Sequence, residues 1–152
     1  MSSPGRETTS NEVFNHETVR SYGDGEVIFS EGDSGRDLFV VQRGAVEIRK
    51  HTAGGEIALA RFGRGHFFGE LALLHSLPRS ATAVAVGETR LLVLQPGGFL
   101  LKIRRDPTFA FEMIQQLSHR VKVSNDRLVN LLEKSDPGDL LQVLKESEEP
   151  AK

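Results

Sequence analysis

Between Phe68 and Ala83 an otherwise apolar run carries a glycine, a carboxylate and a guanidinium: Phe68-Gly-Glu-Leu-Ala-Leu-Leu-His-Ser-Leu-Pro-Arg-Ser-Ala-Thr-Ala83. Charge in such a setting is unfavourable unless something pairs with it, and a ligand is the natural partner. Gly69 lets backbone approach a ligand with no Cβ in the way. The Leu71 to Leu74 run can form a short helical turn whose free N–H groups face a phosphate. Arg79 adds a planar fork of donors that fits two phosphate oxygens at once, which a lysine point charge would not reproduce. Ser80 offers a hydroxyl and Ala81 a backbone N–H. Glu70 cannot serve a phosphate, since two anions repel, yet an ionised carboxylate accepts well from a sugar hydroxyl. With Phe68, Leu71 and Ala72 completing the candidate set, the segment describes a phosphate and a ribose side by side. The bland alternative is that Glu70 and Arg79 form a structural ion pair in a loop.

The elements that must hold this segment are mostly strands. Thirteen of the fifteen glycines fall between Gly23 and Gly98 and punctuate short β-rich runs. The runs are Val19–Tyr22, Val27–Ser30, Leu38–Gln42, Ala45–Lys50, Ile57–Phe62, Ser80–Val86 and Thr89–Leu94, with Gly-Asp-Gly, Arg-Gly, Ala-Gly-Gly and Gly-Arg-Gly turn signals between them. Many short strands with close turns predict a mainly β fold, a jelly-roll-like β-roll of about eight short strands interrupted by a cassette helix. After Gly98 the pattern becomes helical. Phe99 to Arg105 make a short helix, Asp106 offers an N-cap, and Pro107 suits the first turn of a long C-terminal helix over about 107–134.

At this point the cassette resembles the phosphate-binding cassette of cyclic nucleotide-binding domains, the family of protein kinase A regulatory subunits and catabolite activator proteins. The upstream run from Gly25 to Ile48, with its Gly-Asp-Ser-Gly-Arg-Asp stretch, resembles the first hairpins of that family, and the likeness covers roughly Val19 to Leu132. The resemblance implies that Glu70 takes the ribose 2′-hydroxyl and Arg79 the cyclic phosphate. It further implies that Ser124 and Asn125, in Val123-Ser-Asn-Asp-Arg-Leu-Val-Asn130, read the base, one from each subunit of a dimer. Ser124 interrupts a seam in which Ala110, Ile114, Leu117, Val121, Leu128 and Leu131 recur at three- and four-residue steps. Such a seam predicts a homodimer through the long helix; the bland readings are a stripe packed on the roll and a polar residue that merely sets register.

Composition bounds the rest. At 152 residues the chain can bury one real core, and a formal net charge of −2 gives no general attraction to nucleic acid or anionic membrane. Without cysteine, disulfides and thiolate metal sites are excluded. The five histidines lack metal-ligand spacing, so no metal is expected, and no nucleophile–base arrangement marks an enzyme. A haem-ligand role for His75 and a phosphate-contacting patch of His119, Arg120, Lys122 and Arg127 are weaker readings. The N-terminus carries no apolar run fit for a signal peptide or membrane span, which predicts a cytoplasmic protein with no membrane association.

The expected organisation is a disordered tail over residues 1–12, a domain over 13–134 and a short extension with an acidic tail over 135–152. Only about Asn11 to Thr18 is available for an N-terminal helix. The segment after the long helix is too short for a DNA-reading domain, so no DNA binding is expected; Leu140 to Leu144 make either a short helix on the dimer or a docking peptide. The sequence thus predicts a stand-alone sensory module for cyclic AMP, favoured over cyclic GMP, that couples occupancy to its helix and to an unidentified protein partner. The competing readings are a dimerising β-roll scaffold with no ligand in the cell and an enzyme of the cupin kind, which the missing metal-binding histidines disfavour.

Overall fold

A computed structural model describes residues 6–8 and 17–148. Contacts divide the chain into two units, Met1–Ala110 and Phe111–Lys152. In the first, seven strands form one antiparallel sheet: β1 (Arg6–Thr8), β2 (Glu17–Tyr22), β3 (Val27–Phe29), β4 (Leu38–Thr52), β5 (Gly55–Phe62), β6 (Phe67–Phe68) and β7 (Thr82–Leu94). The order β1-β2-β7-β4-β5 is completed by β3 pairing with β7 and β6 with β4. With four helices, α1 (Glu70–His75), α2 (Pro96–Arg105), α3 (Pro107–Glu133) and α4 (Pro137–Glu148), this is the mainly β architecture with a cassette helix and a long helix after the sheet that the sequence predicts.

Two expected turns are not turns. Leu38–Gln42 and Ala45–Lys50 are one strand, β4, and Ser80–Val86 and Thr89–Leu94 merge into β7. The sequence signal at Arg43-Gly44 is real but is used for a bulge: the β4–β7 register shifts on both sides of Arg43. Gly44 has φ 82°, and a Cβ there would collide with the Glu88 carbonyl oxygen. The buried Thr89 hydroxyl donates to Ala45 O at 3.0 Å across this bulge. Bent in this way, two long strands serve both halves of the roll.

Two smaller expectations also change. Arg6–Thr8, placed by sequence in a disordered tail, pair with Val19–Ser21 of β2. Glu17 and Thr18, offered for a helix, open β2; the rest of that segment lies outside the described residues. In the 135–152 extension Leu140 to Leu144 lie in a helix, the twelve-residue α4, in keeping with the short helix expected there.

The core explains why the strands hold. Tyr22, Ile28, Phe29, Phe39, Val41, Val46, Phe68, Ala83, Ala85, Leu91 and Val93 form one buried cluster. Within it Phe29, Phe39 and Phe68 meet pairwise at centroid distances of 5.2–5.9 Å, so each ring adds aromatic contact to its area burial. In the second unit α3 buries Met113 but leaves Phe111, Ile114, Val121, Val129 and Leu131 exposed. Asp106 caps α3 as expected, its Oδ1 accepting from Phe109 N–H at 3.2 Å.

Candidate functional site

The cassette begins where β6 ends. Phe67 and Phe68 pair with Val40 and Phe39 of β4 and are fully buried, which fixes the chain as it leaves the sheet. Gly69 follows at φ 86° and ψ 12° as the residue preceding α1. A Cβ at that position would stand 2.8 Å from Arg79 Nη1 and 3.0 Å from Asp37 O. Left-handed backbone and closeness to two other segments together require glycine. α1 then buries Ala72 and Leu73, leaves Glu70 half-buried and exposes Leu71, and closes with the Ser76 N–H donating to Ala72 O at 3.1 Å.

Arg79 is the centre of the arrangement. Although cationic, it is 5 % exposed. Its Nη1 donates to Gly69 O at 3.1 Å and its Nη2 to Asp37 O at 2.8 Å. The guanidinium carbon lies 4.3 Å from the Phe29 ring centroid and 5.5 Å from that of Phe39. Its Nε is buried and has no hydrogen-bond partner among the described residues. Burial pulls the pKa of Arg79 downward, while the charges of Asp37, Asp33 and Glu70 act the other way; the group stays cationic at any physiological pH. Both hydrogen-bond acceptors of the guanidinium are neutral carbonyls. With one donor idle and, among the described residues, no ion pair of its own, this buried cation suits a phosphate, which brings both charge and acceptor.

The loop between β3 and β4 braces this side chain. Arg79 N–H donates to Asp33 O and Gly32 N–H donates to Arg79 O, both at 2.8 Å. Arg36 Nη2 donates to Leu73 O at 3.3 Å, tying the same loop to α1. Gly35 lies against the guanidinium: a Cβ there would meet Nη2 at 3.4 Å. On the other flank Lys50 pairs with Glu31 at 2.6 Å and donates to Ser80 O at 2.7 Å. Ser80 itself is exposed and Ala81 buried.

The structure therefore brings Phe68, Gly69, Glu70, Leu71, Ala72, Arg79, Ser80 and Ala81 into one cassette built on β6, α1 and the start of β7. Ser124 and Asn125 belong to the other unit, where both are exposed on α3. Sequence reasoning assigned no part to Phe29, Gly35, Asp37 or Lys50. Gly35 and Asp37 do fall in the Gly-Asp-Ser-Gly-Arg-Asp run already noted, but their partner is about forty residues away and only the fold reveals it. Among the described residues no group of three His, Asp or Glu side chains is gathered to hold a metal ion, and no helix is long and apolar enough to cross a membrane.

Known proteins resemble this chain in sequence and in fold. The family model described as the cyclic nucleotide-binding domain matches residues 19–106. The chain is 42 % identical over 104 residues to a cyclic AMP receptor protein of Thermus thermophilus, covering 68 % of this chain and 48 % of that protein. It is 44 % identical over 71 residues to a cAMP-dependent protein kinase regulatory subunit of Mycosarcoma maydis, covering 47 % of this chain and 14 % of that one. The chain thus spans about half or less of the length of these relatives. Among solved structures, the catabolite activator protein of Thermus thermophilus superposes with a TM-score of 0.68 at 37 % identity, over 81 % of this chain and 60 % of that one.

Proposed function

Because the chain belongs to the cyclic nucleotide-binding domain family, we propose that it is a cyclic nucleotide receptor, regulatory and not catalytic, that takes cyclic AMP in preference to cyclic GMP. The observation that carries this reading is the buried Arg79 guanidinium, whose idle Nε, with no ion pair among the described residues, fits the cyclic phosphate. In this assignment Arg79 and the first N–H groups of α1 hold the phosphate, with Gly69 clearing the approach and Ser80 and Ala81 adding a hydroxyl and an N–H. Glu70 accepts from the ribose 2′-hydroxyl. Phe68, Leu71 and Ala72 shape the apolar wall.

Binding must change something to be reported, and the braces on Arg79 offer a means. A phosphate at Nε draws on the same guanidinium that holds Asp37 O and Gly69 O, so occupancy and the set of the cassette are linked. The exposed apolar stripe of α3 supports a homodimer, in which Ser124 and Asn125 supply the base contacts that favour adenine, and coupling passes to a protein partner through the helices. The likeness to a cyclic AMP receptor protein and to a cAMP-dependent kinase regulatory subunit supports the choice of nucleotide.

Calorimetric titration with cyclic AMP and cyclic GMP tests the assignment. One site per chain, with cyclic AMP binding tighter, is the expected result. Absence of saturable binding of either nucleotide would replace it by the scaffold reading.

A further inference from the structure

A second concentration of guanidinium lies far from the cassette. Ser21 pairs with Arg90, and Arg90 with Arg43, so these residues stand abreast across β2, β7 and β4. Directly opposed residues share a face of the sheet, with Cβ atoms roughly 5 Å apart, and like charges so placed repel. Ser21, Arg43, Glu88 and Arg90 line a pocket of about 340 Å³ together with the buried Tyr22 and Thr89. Arg90 is about 25 Å along β7 from Thr82, at roughly 3.3 Å per residue, so this pocket is separate from the cassette at the start of that strand.

The arginines in it are exposed, and what sets them apart from other exposed arginines of the unit, such as Arg61 and Arg64, is their place side by side on one pocket. Arg43 and Arg90 form no ion pair or side-chain hydrogen bond among the described residues, and neither does Glu88 beside them. Nor is the Arg43–Arg90 juxtaposition an accident of loose chain. It is held by the double register shift around Arg43, by Gly44 packed on the Glu88 carbonyl, and by the Thr89 hydroxyl on Ala45 O. The register thus sets two arginines side by side on the wall of one pocket.

We propose that this pocket is a second ligand site, for a small phosphate monoester that carries hydroxyl groups. Two adjacent forks match the oxygens of one phosphate dianion, and the Ser21 hydroxyl adds a donor. Glu88 would repel a bare anion but accepts from a hydroxyl, so it selects a sugar or polyol phosphate over inorganic phosphate. The site does not depend on the cyclic nucleotide assignment, since it shares no residue with the cassette.

The test is titration of the whole chain with ribose 5-phosphate and with inorganic phosphate, at fixed ionic strength, followed by calorimetry or by amide shifts. Ribose 5-phosphate should bind the tighter of the two. Arg43→Gln and Arg90→Gln should each weaken it by about tenfold, the loss expected of one charge-assisted fork. Glu88→Gln should shift the two probes in opposite directions, tightening inorganic phosphate and weakening the sugar phosphate. All three positions are exposed, and circular dichroism confirms that the variants fold. Arg79→Ala should leave this binding unchanged, and Arg43→Gln should leave cyclic AMP titration unchanged. Binding abolished by Arg79→Ala, binding indifferent to Arg43→Gln and Arg90→Gln, or no saturable binding of either probe would each overturn the proposal; failure of cyclic AMP to bind would not touch it.

Discussion

The two units of the chain treat their apolar residues differently. In the first, Leu38, Val41, Val46, Phe67, Phe68, Leu91, Val93 and Leu94 are excluded from solvent almost completely, and even an arginine is drawn inside. In α3, Ile114, Val121 and Leu131 are 59–63 % exposed. The difference teaches that the roll buries its apolar residues within its own unit, while among the described residues the helix keeps an apolar stripe exposed. On the proposed reading, the roll takes a small anion at Arg79. What the helix lacks is area, which a second copy of the same seam would supply.

Removing the guanidinium tests the first half of that contrast most severely. Arg79→Ala deletes the proposed phosphate ligand and also the bonds to Asp37 O and to Gly69 O, the latter keeping only a long bond from Leu73 N–H at 3.5 Å. Cyclic AMP affinity should fall by about 2–5 kcal/mol, a factor of 30 or more. The melting temperature should fall as well, because the brace between loop and cassette is lost. Arg79→Lys should recover only part of either. Wild-type affinity in a folded Arg79→Ala protein would show that the idle donor has nothing to do with nucleotide.

The second half is broken at the seam. Leu117 and Leu128 are half-buried within a single chain, so a charge there could disturb the helix itself; Val121, at 59 % exposed, is the cleaner position. Val121→Glu should leave the roll intact and, by setting two carboxylates in one interface, weaken self-association by roughly 2–4 kcal/mol. Light scattering then reads a halved mass. If Ser124 or Asn125 of a partner chain touches the base, the same monomer should bind cyclic AMP more weakly and discriminate less against cyclic GMP. A wild-type chain that is already monomeric would refute the seam.

Glu70→Gln makes the finest cut, within the cassette. The substitution keeps size and a carbonyl acceptor but removes charge, so it should weaken cyclic AMP by about 1–2 kcal/mol and its 2′-deoxy analogue much less. Equal loss for both ligands would make Glu70 structural.

Some of this was legible residue by residue. Gly69, Glu70 and Arg79 stand out because charge in an apolar run demands a partner, and the change from glycine-punctuated strands to three- and four-residue apolar steps marks where sheet gives way to helix. Arg43-Gly44 was misread, since a turn and a bulge share the same local chemistry: a glycine at positive φ. Only the distant Thr89 and Glu88, closing on that glycine from β7, decide between them.

The chain's composition and local order thus determined the fold class, the position of the cassette and the residue types in it, since these follow from short-range periodicity, capping and backbone freedom. Tertiary structure alone decided that Arg79 would be buried under Phe29, that its donors would be taken by carbonyls from segments ten and forty-two residues away, and that Arg43 and Arg90 would stand abreast. The physical reason is the same in each case. Strand register and burial are set by contacts between parts of the chain remote in sequence, and a one-residue slip in β4 against β7 would move every side chain of the pair to the opposite face.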